Sequence, residues 1–137
     1  MHFAIVGVSY KNTDMDIREQ LVFTDTKKME MYVDLMSHGI KESVILSTCN
    51  RSEIYFLYEE ESQIELVKRR FVAFFAQVSF EEHLFSYKGI KAIQYLFEVT
   101  NGIHSLVLGE DQILGQVVKA EEFARTNGSS KKIMNRI

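Results

Sequence analysis

Strand-favouring residues run without a break from Phe3 to Val8, and the pattern turns helical between Asp14 and Phe23. Gly7 inside the first run signals a close backbone approach or a bulge. After Thr24-Asp25-Thr26 a second helix is predicted, with Met29, Tyr32, Val33 and Met36 on one face, Asp25 or Thr26 as its cap and Gly39 as its stop. Two strand-like runs follow, Val44 to Cys49 and Glu53 to Tyr58, and the short link through Asn50 and Arg51 suits an antiparallel hairpin. Alternation then puts Ile45, Ser47 and Cys49 on one face and Val44, Leu46 and Thr48 on the other.

Past the acidic Glu59-Glu60-Glu61, the residues Ile64, Val67, Phe71, Phe74, Phe75 and Val78 recur at helical spacing, the clearest amphipathic pattern in the chain. Phe85 to Lys88 reads as a short edge strand, and a helix from Lys91 to about Thr100 is predicted with Ile93, Leu96 and Phe97 inward. A last helix, from about Glu110 to Thr126, carries the apolar stripe Ile113, Val117, Ala120 and Ala124 and stops at Asn127-Gly128. Ile133 to Ile137 restarts an apolar period, as at the start of a further element, so a longer parent protein is expected. Strands interleaved with helices around a central hairpin predict an α+β domain over residues 1–137.

Composition narrows the field of functions. A single cysteine excludes an intrachain disulfide, the paired Cys and His spacings of zinc sites are missing, and a reducing, cytoplasmic setting is the default. The N-terminus lacks the basic start and cleavage site of a secretory signal, and no apolar run reaches membrane-spanning length, so no membrane association is expected. A net charge of −3 argues against a general nucleic-acid binder. The basic runs Lys68-Arg69-Arg70 and Lys131-Lys132 with Arg136 read as solvated charge on helix faces.

Cys49 holds the candidate chemistry. It lies at the tip of the predicted hairpin, two residues before Arg51. A free thiol titrates near about 8.5, and a neighbouring cation makes more of it thiolate at neutral pH. Arg51 can supply that field, or its guanidinium fork can grip a substrate carboxylate; a bound carboxylate would neutralise the charge that favours the thiolate. On spacing alone, a strand-end cysteine buried for packing is an equal reading.

The segment Ser47-Thr48-Cys49-Asn50-Arg51-Ser52-Glu53-Ile54-Tyr55 resembles the signature of glutamyl-tRNA reductases, with Ser52 in place of a threonine. Gly102-Ile103-His104-Ser105-Leu106-Val107-Leu108-Gly109-Glu110-Asp111-Gln112-Ile113-Leu114-Gly115-Gln116-Val117 is similar to a second block of the same family. With the opening strand and Ile17-Arg18-Glu19, the resemblance spans the whole chain and covers the family's N-terminal catalytic domain.

The resemblance implies a ferredoxin-like antiparallel sheet with helices packed on one face, plus C-terminal helices. It implies NADPH-dependent reduction of glutamyl-tRNA to glutamate-1-semialdehyde in tetrapyrrole (porphyrin) synthesis, through a glutamyl thioester on Cys49. Thr48, Cys49, Asn50, Arg51, Ser105, Glu110, Asp111, Gln112 and Gln116 map onto the family's substrate pocket, with Arg51 for the side-chain carboxylate and Glu110 for the substrate ammonium. A homodimer of the full-length protein and a downstream aminomutase are implied as partners. The family often has His at Tyr95, Asp at His104 and Pro at Asp111. Tyrosine titrates near about 10 and is a poor general base; His104 is one substitute, and the other has Tyr95 orienting substrate while water or the departing tRNA hydroxyl moves the proton. No G-x-G-x-x-G fingerprint is present, so NADPH is expected to bind sequence outside this chain. Competing readings are a cysteine-dependent thiol hydrolase or acyl transferase, and a non-catalytic binding or regulatory module.

Overall fold

A computed structural model describes residues 1–9, 14–100, 113–126 and 128. Its chain order is β1 (His2–Ser9), α1 (Met15–Gln20), α2 (Asp25–Ser37), β2 (Ser43–Ser47), β3 (Arg51–Tyr58), α3 (Ser62–Phe74), a 3-10 turn at Glu81–His83, β4 (Phe85–Lys88), α4 (Ile90–Thr100) and α5 (Ile113–Thr126). The strands form one antiparallel sheet in the order β2-β3-β1-β4. Placing β3 between β1 and β2 and returning β4 to the far side of β1 is the split β-α-β arrangement of ferredoxin-like folds.

Pairing register assigns the two faces of the sheet. Ala4, Val6 and Val8 share a face with Ser52, Ile54 and Phe56, and with Ile45 and Ser47 of β2. The first three helices cover this face. The Phe23 N–H donates to Ser47 Oγ at 2.9 Å and the Ser52 hydroxyl donates to the Leu21 carbonyl at 2.7 Å. Phe71 of α3 stacks within 5.6 Å of Phe23 and 5.3 Å of Phe80, so an aromatic cluster fills the layer. The opposite face presents Phe3, Ile5 and Gly7, with Leu46, Glu53, Tyr55, Phe85 and Tyr87, to α4 and α5. The two faces are thus covered by different sets of helices, the C-terminal pair opposite the first three.

Local signals fix the helix ends. Asp14 caps α1 through the Ile17 N–H, and Thr24, rather than Asp25 or Thr26, caps α2 through the Lys27 N–H. Gly39, at φ 92°, stops α2 in the left-handed conformation, with the Ile40 N–H bonded back to the Leu35 carbonyl. Two inward faces differ from expectation. In α2 the buried residues are Met31, Tyr32 and Leu35, while Met29 and Val33 are exposed. In α4 they are Ala92, Tyr95 and Val99, while Ile93 and Phe97 face outward.

β2 is an edge strand whose outward N–H groups need acceptors. Ile45 finds one in the Tyr32 hydroxyl, at 2.8 Å and buried. Tyr32→Phe removes that acceptor and leaves a buried donor unmet, which is expected to cost about 1–3 kcal/mol. Urea unfolding should show a lower midpoint at an unchanged slope.

Candidate active site at the β2–β3 hairpin

The hairpin tip lies two residues earlier than the sequence suggests, because β2 ends at Ser47 rather than Cys49 and β3 begins at Arg51 rather than Glu53. The Thr48 N–H donates to the Arg51 carbonyl at 2.8 Å, leaving Cys49 and Asn50 as the two turn residues. Thr48 Oγ1 accepts the Asn50 N–H at 3.1 Å, a side-chain-to-backbone bond that stiffens the turn. Cys49 is exposed at this tip as a free thiol, whereas Asn50 is buried. The packing-cysteine reading of Cys49 therefore does not describe this fold.

Arg51 is placed differently from a solvent-facing cation beside a thiol. It is 1% exposed, on the central strand, and points to the α4 side of the sheet. Strand alternation puts Arg51, Glu53 and Tyr55 on that same face. Arg51 Nη1 lies 3.7 Å from Glu53 Oε2, and neither side chain reaches solvent. The Tyr55 hydroxyl donates to Glu53 Oε1 at 2.6 Å, and Tyr95 of α4 donates its hydroxyl to Glu53 Oε2. A buried ion pair needs such added hydrogen bonds to offset the loss of hydration.

Both phenols stay protonated. Burial raises the Tyr55 and Tyr95 pKa values above the ordinary tyrosine range, and the charge of Glu53 and its hydrogen bonds push them further the same way. Each tyrosine is therefore a fixed donor across the range in which proteins function. Tyr95 is itself held by Phe85 and Tyr87 of β4, with ring centroids at 5.2 and 5.1 Å. Gly7 lies directly across the ladder from Glu53, and a Cβ at position 7 would stand 2.7 Å from Glu53 Cγ and 2.8 Å from the Ser52 carbonyl oxygen. The close approach signalled by Gly7 is thus real, and it makes room for Glu53.

The structure brings Thr48, Cys49, Asn50 and Arg51 together at the hairpin, with Tyr95 packed beneath it through Glu53. Gln116 stands on α5 in a neighbouring cleft of about 320 Å³ lined also by Lys28, Leu46, Ser47, Lys119 and Phe123. Lys28, half-buried there with its ammonium 5.5 Å from the Phe123 ring, has its pKa lowered by burial, against the opposing pull of Asp25. Ser105, Glu110, Asp111, Gln112 and His104 lie outside the described residues. Glu53 and Tyr55 were not singled out by sequence reasoning, although their period-2 spacing from Arg51 carried the signal. Among the described residues no group of His, Cys, Asp and Glu side chains could hold a metal ion, and no helix is long and apolar enough to cross a membrane.

Comparison with known proteins gives one answer at three levels. Residues 6–137 match the family model described as glutamyl-tRNAGlu reductase, N-terminal domain. The chain is 40% identical over its whole length to a glutamyl-tRNA reductase of Clostridium novyi, covering 34% of that protein, and 40% identical to one of Alkaliphilus metalliredigens, covering 33% of it. A solved structure, the glutamyl-tRNA reductase from Methanopyrus kandleri, superimposes with a TM-score of 0.76 at 26% identity, over 97% of this chain and 30% of that one. The chain spans about a third of the length of the curated relatives it matches.

Proposed function

The chain belongs to the glutamyl-tRNA reductase family by its N-terminal domain, and from that membership we propose that it carries the thiol that takes the glutamyl group from glutamyl-tRNA, in tetrapyrrole synthesis. The observation that supports this most strongly is the exposed thiol of Cys49 on a tight turn whose next residue but one is locked into a buried polar network. A nucleophile needs access, and its carrier needs rigidity.

In this reading the Cys49 thiolate attacks the carbonyl carbon of the aminoacyl ester. The S–C bond forms, the C–O bond to the tRNA ribose breaks, and the departing ribose oxygen takes a proton to become a hydroxyl. The glutamyl group remains as a thioester, whose carbonyl is less resonance-stabilised than that of the ester it replaced. By the family resemblance Arg51 is assigned to the substrate's side-chain carboxylate, and because its side chain is buried beside Glu53 this assignment requires the guanidinium to become accessible when substrate binds. Ser105, Gln112 and Gln116 are assigned neutral hydrogen bonds and Glu110 the substrate ammonium, with Thr48, Asn50 and Asp111 as further residues of the pocket.

Reduction of the thioester to glutamate-1-semialdehyde belongs to the same proposal, with NADPH as the reductant. The described residues do not fit a dinucleotide: the sheet is antiparallel, and Gly39, Gly89 and Gly128, the described glycines with positive φ, are far apart in sequence. NADPH is accordingly assigned to sequence outside residues 1–137, as are the homodimer contacts, and an aminomutase is the proposed recipient of the aldehyde.

Incubating the protein with glutamyl-tRNA tests the reading. Cleavage of the ester without NADPH, and appearance of the aldehyde when NADPH is supplied to the full-length protein, are expected. Release of free glutamate alone, with NADPH present, would favour a cysteine hydrolase instead. An ester left intact would remove the catalytic reading altogether.

A further inference from the structure

The cleft of about 320 Å³ beside the hairpin runs along the free edge of β2, between α2 and α5. Gln116, Lys119 and Phe123 lie at i, i+3 and i+7 on α5, so one face of that helix lines it. Lys28 reaches in from α2, its ammonium 5.5 Å from the Phe123 ring. Ser47, the last residue of β2, forms part of the wall. It is two residues from Cys49, a span of at most about 7 Å. The cleft therefore adjoins the thiol, and Gln116 belongs both to it and to the substrate pocket that the family resemblance implies.

The polar groups in this cleft are unfinished. Lys28 is half-buried, and neither Lys28 nor Lys119 forms an ion pair among the described residues. Asp25 attracts the Lys28 ammonium without reaching it, and the lost hydration outweighs that attraction. The Phe123 ring keeps the charge in the cleft by cation–π attraction. Gln116 Oε1 is sealed from solvent without a hydrogen-bond partner, an acceptor that lacks its donor. The ladder adds a further donor: with Thr48 paired to Arg51, the N–H groups of Ile45 and Ser47 point off the free edge, and Tyr32 takes that of Ile45. Two ammonium groups and an outward N–H against the one carboxylate of Asp25 favour an anion. Lysines act as point charges and suit a phosphate, whereas a planar guanidinium suits a carboxylate.

Acylation of Cys49 brings one phosphate close by necessity. The ester sits on the ribose of the last nucleotide, and the phosphodiester that joins this nucleotide to the one before it lies only a few bonds away. We propose that Lys28 and Lys119 seat that phosphate, so that the cleft between α2, the edge of β2 and α5 holds the terminal nucleotide while Cys49 attacks its ester. The inference rests on the reading of Cys49 as the residue that takes the glutamyl group. The ribose hydroxyl beside the ester supplies the donor for Gln116 Oε1. A phosphate contact confined to one cleft also reconciles a tRNA substrate with a net charge of −3.

A neutral methylphosphonate at the last internucleotide linkage of glutamyl-tRNA removes that charge alone. Cleavage by the full-length protein without NADPH is compared for the normal and the modified tRNA, with folding of every variant checked by thermal melting. In the wild type the modification should raise KM about tenfold. Lys28→Met combined with Lys119→Met should raise KM for the normal tRNA by a similar factor and flatten its salt dependence. In that double variant the modification should cost nothing further, because it removes a charge whose partners are already gone. Lys28→Arg with Lys119→Arg should keep most of the wild-type behaviour. A modification that costs the wild type nothing, or costs the double variant as much as the wild type, would overturn the proposal. Affinities for the two tRNAs in uncharged form give the same cycle without turnover. If the wild type leaves both esters intact, the reading of Cys49 fails, and those affinities decide the role of the lysines by the same comparison.

Discussion

Replacing Cys49 with serine is expected to abolish glutamyl transfer, a loss of about a thousandfold or more, while leaving the fold intact. The two halves of that expectation have separate causes. A serine hydroxyl at the tip of the turn is almost wholly protonated at neutral pH and forms an ester no easier to reduce than the one it replaces, so both the attack and its product are lost. Stability is untouched because the thiol is exposed and packs nothing; substitutions at such positions change stability by about 0.5 kcal/mol at most. The turn itself is held by the Thr48 N–H to Arg51 carbonyl bond and by Thr48 Oγ1, neither of which involves the sulfur. An unchanged melting curve with cleavage of glutamyl-tRNA within tenfold of wild type would assign the nucleophile elsewhere.

Gly7→Ala should damage both stability and chemistry although it adds one methyl group far along the sheet from the thiol. Its Cβ would lie 2.8 Å from the Ser52 carbonyl oxygen and 3.0 Å from Glu53 Cα, so backbone as well as side chain must move. The affected ladder joins β1 to β3, the two central strands, where a shift is resisted by packing on both faces. Overpacking of this kind costs about 1–3 kcal/mol and more where backbone is displaced. Moving Glu53 also pulls its carboxylate from Tyr55 and Tyr95, which disturbs the support of Arg51. The expected result is a lower denaturation midpoint together with a weaker preference for glutamyl over glutaminyl ester. A variant as stable and as selective as wild type would show that the Gly7–Glu53 contact is tolerant and that the network beneath the hairpin does not depend on it.

Much of the architecture was legible in the chain because its periods are simple. β4 falls at Phe85–Lys88 as predicted, and the Ile64, Val67 and Phe71 face of α3 is buried as its spacing requires. The inward faces of α2 and α4 were less legible because a hydropathy pattern ranks Ile93 and Phe97 above Ala92 and Tyr95. Packing on the sheet reverses that order. A small residue at Ala92 lets α4 approach closely, and the Tyr95 hydroxyl has a buried acceptor in Glu53 that no local pattern reveals.

The same limit explains the site. Cys49 and Arg51 stand out as residue types in a known motif, but polar residues within a run read as a link between strands, so the start of β3 was placed at Glu53. In the fold all eight residues of β3 are buried, and the arginine and glutamate lie inside as an ion pair whose carboxylate also accepts hydrogen bonds from Tyr55 of the same strand and Tyr95 of α4. Partners separated by 42 residues, as Tyr95 and Glu53 are, become apparent only once α4 is set on the sheet. The second motif, from Gly102 to Val117, was legible as a motif, and only its end from Ile113 onward, in α5, lies among the described residues.

The central claim is that an exposed cysteine on a rigid turn becomes acylated by the amino acid of its tRNA substrate. Intact-protein mass spectrometry of the full-length protein, acid-quenched after brief exposure to glutamyl-tRNA without NADPH, measures this directly. The account predicts a mass increase of one glutamyl group, mapped to the peptide containing Cys49 and discharged by hydroxylamine. Cleavage of the tRNA ester with no adduct at any time, or an adduct on a residue other than Cys49, would contradict it.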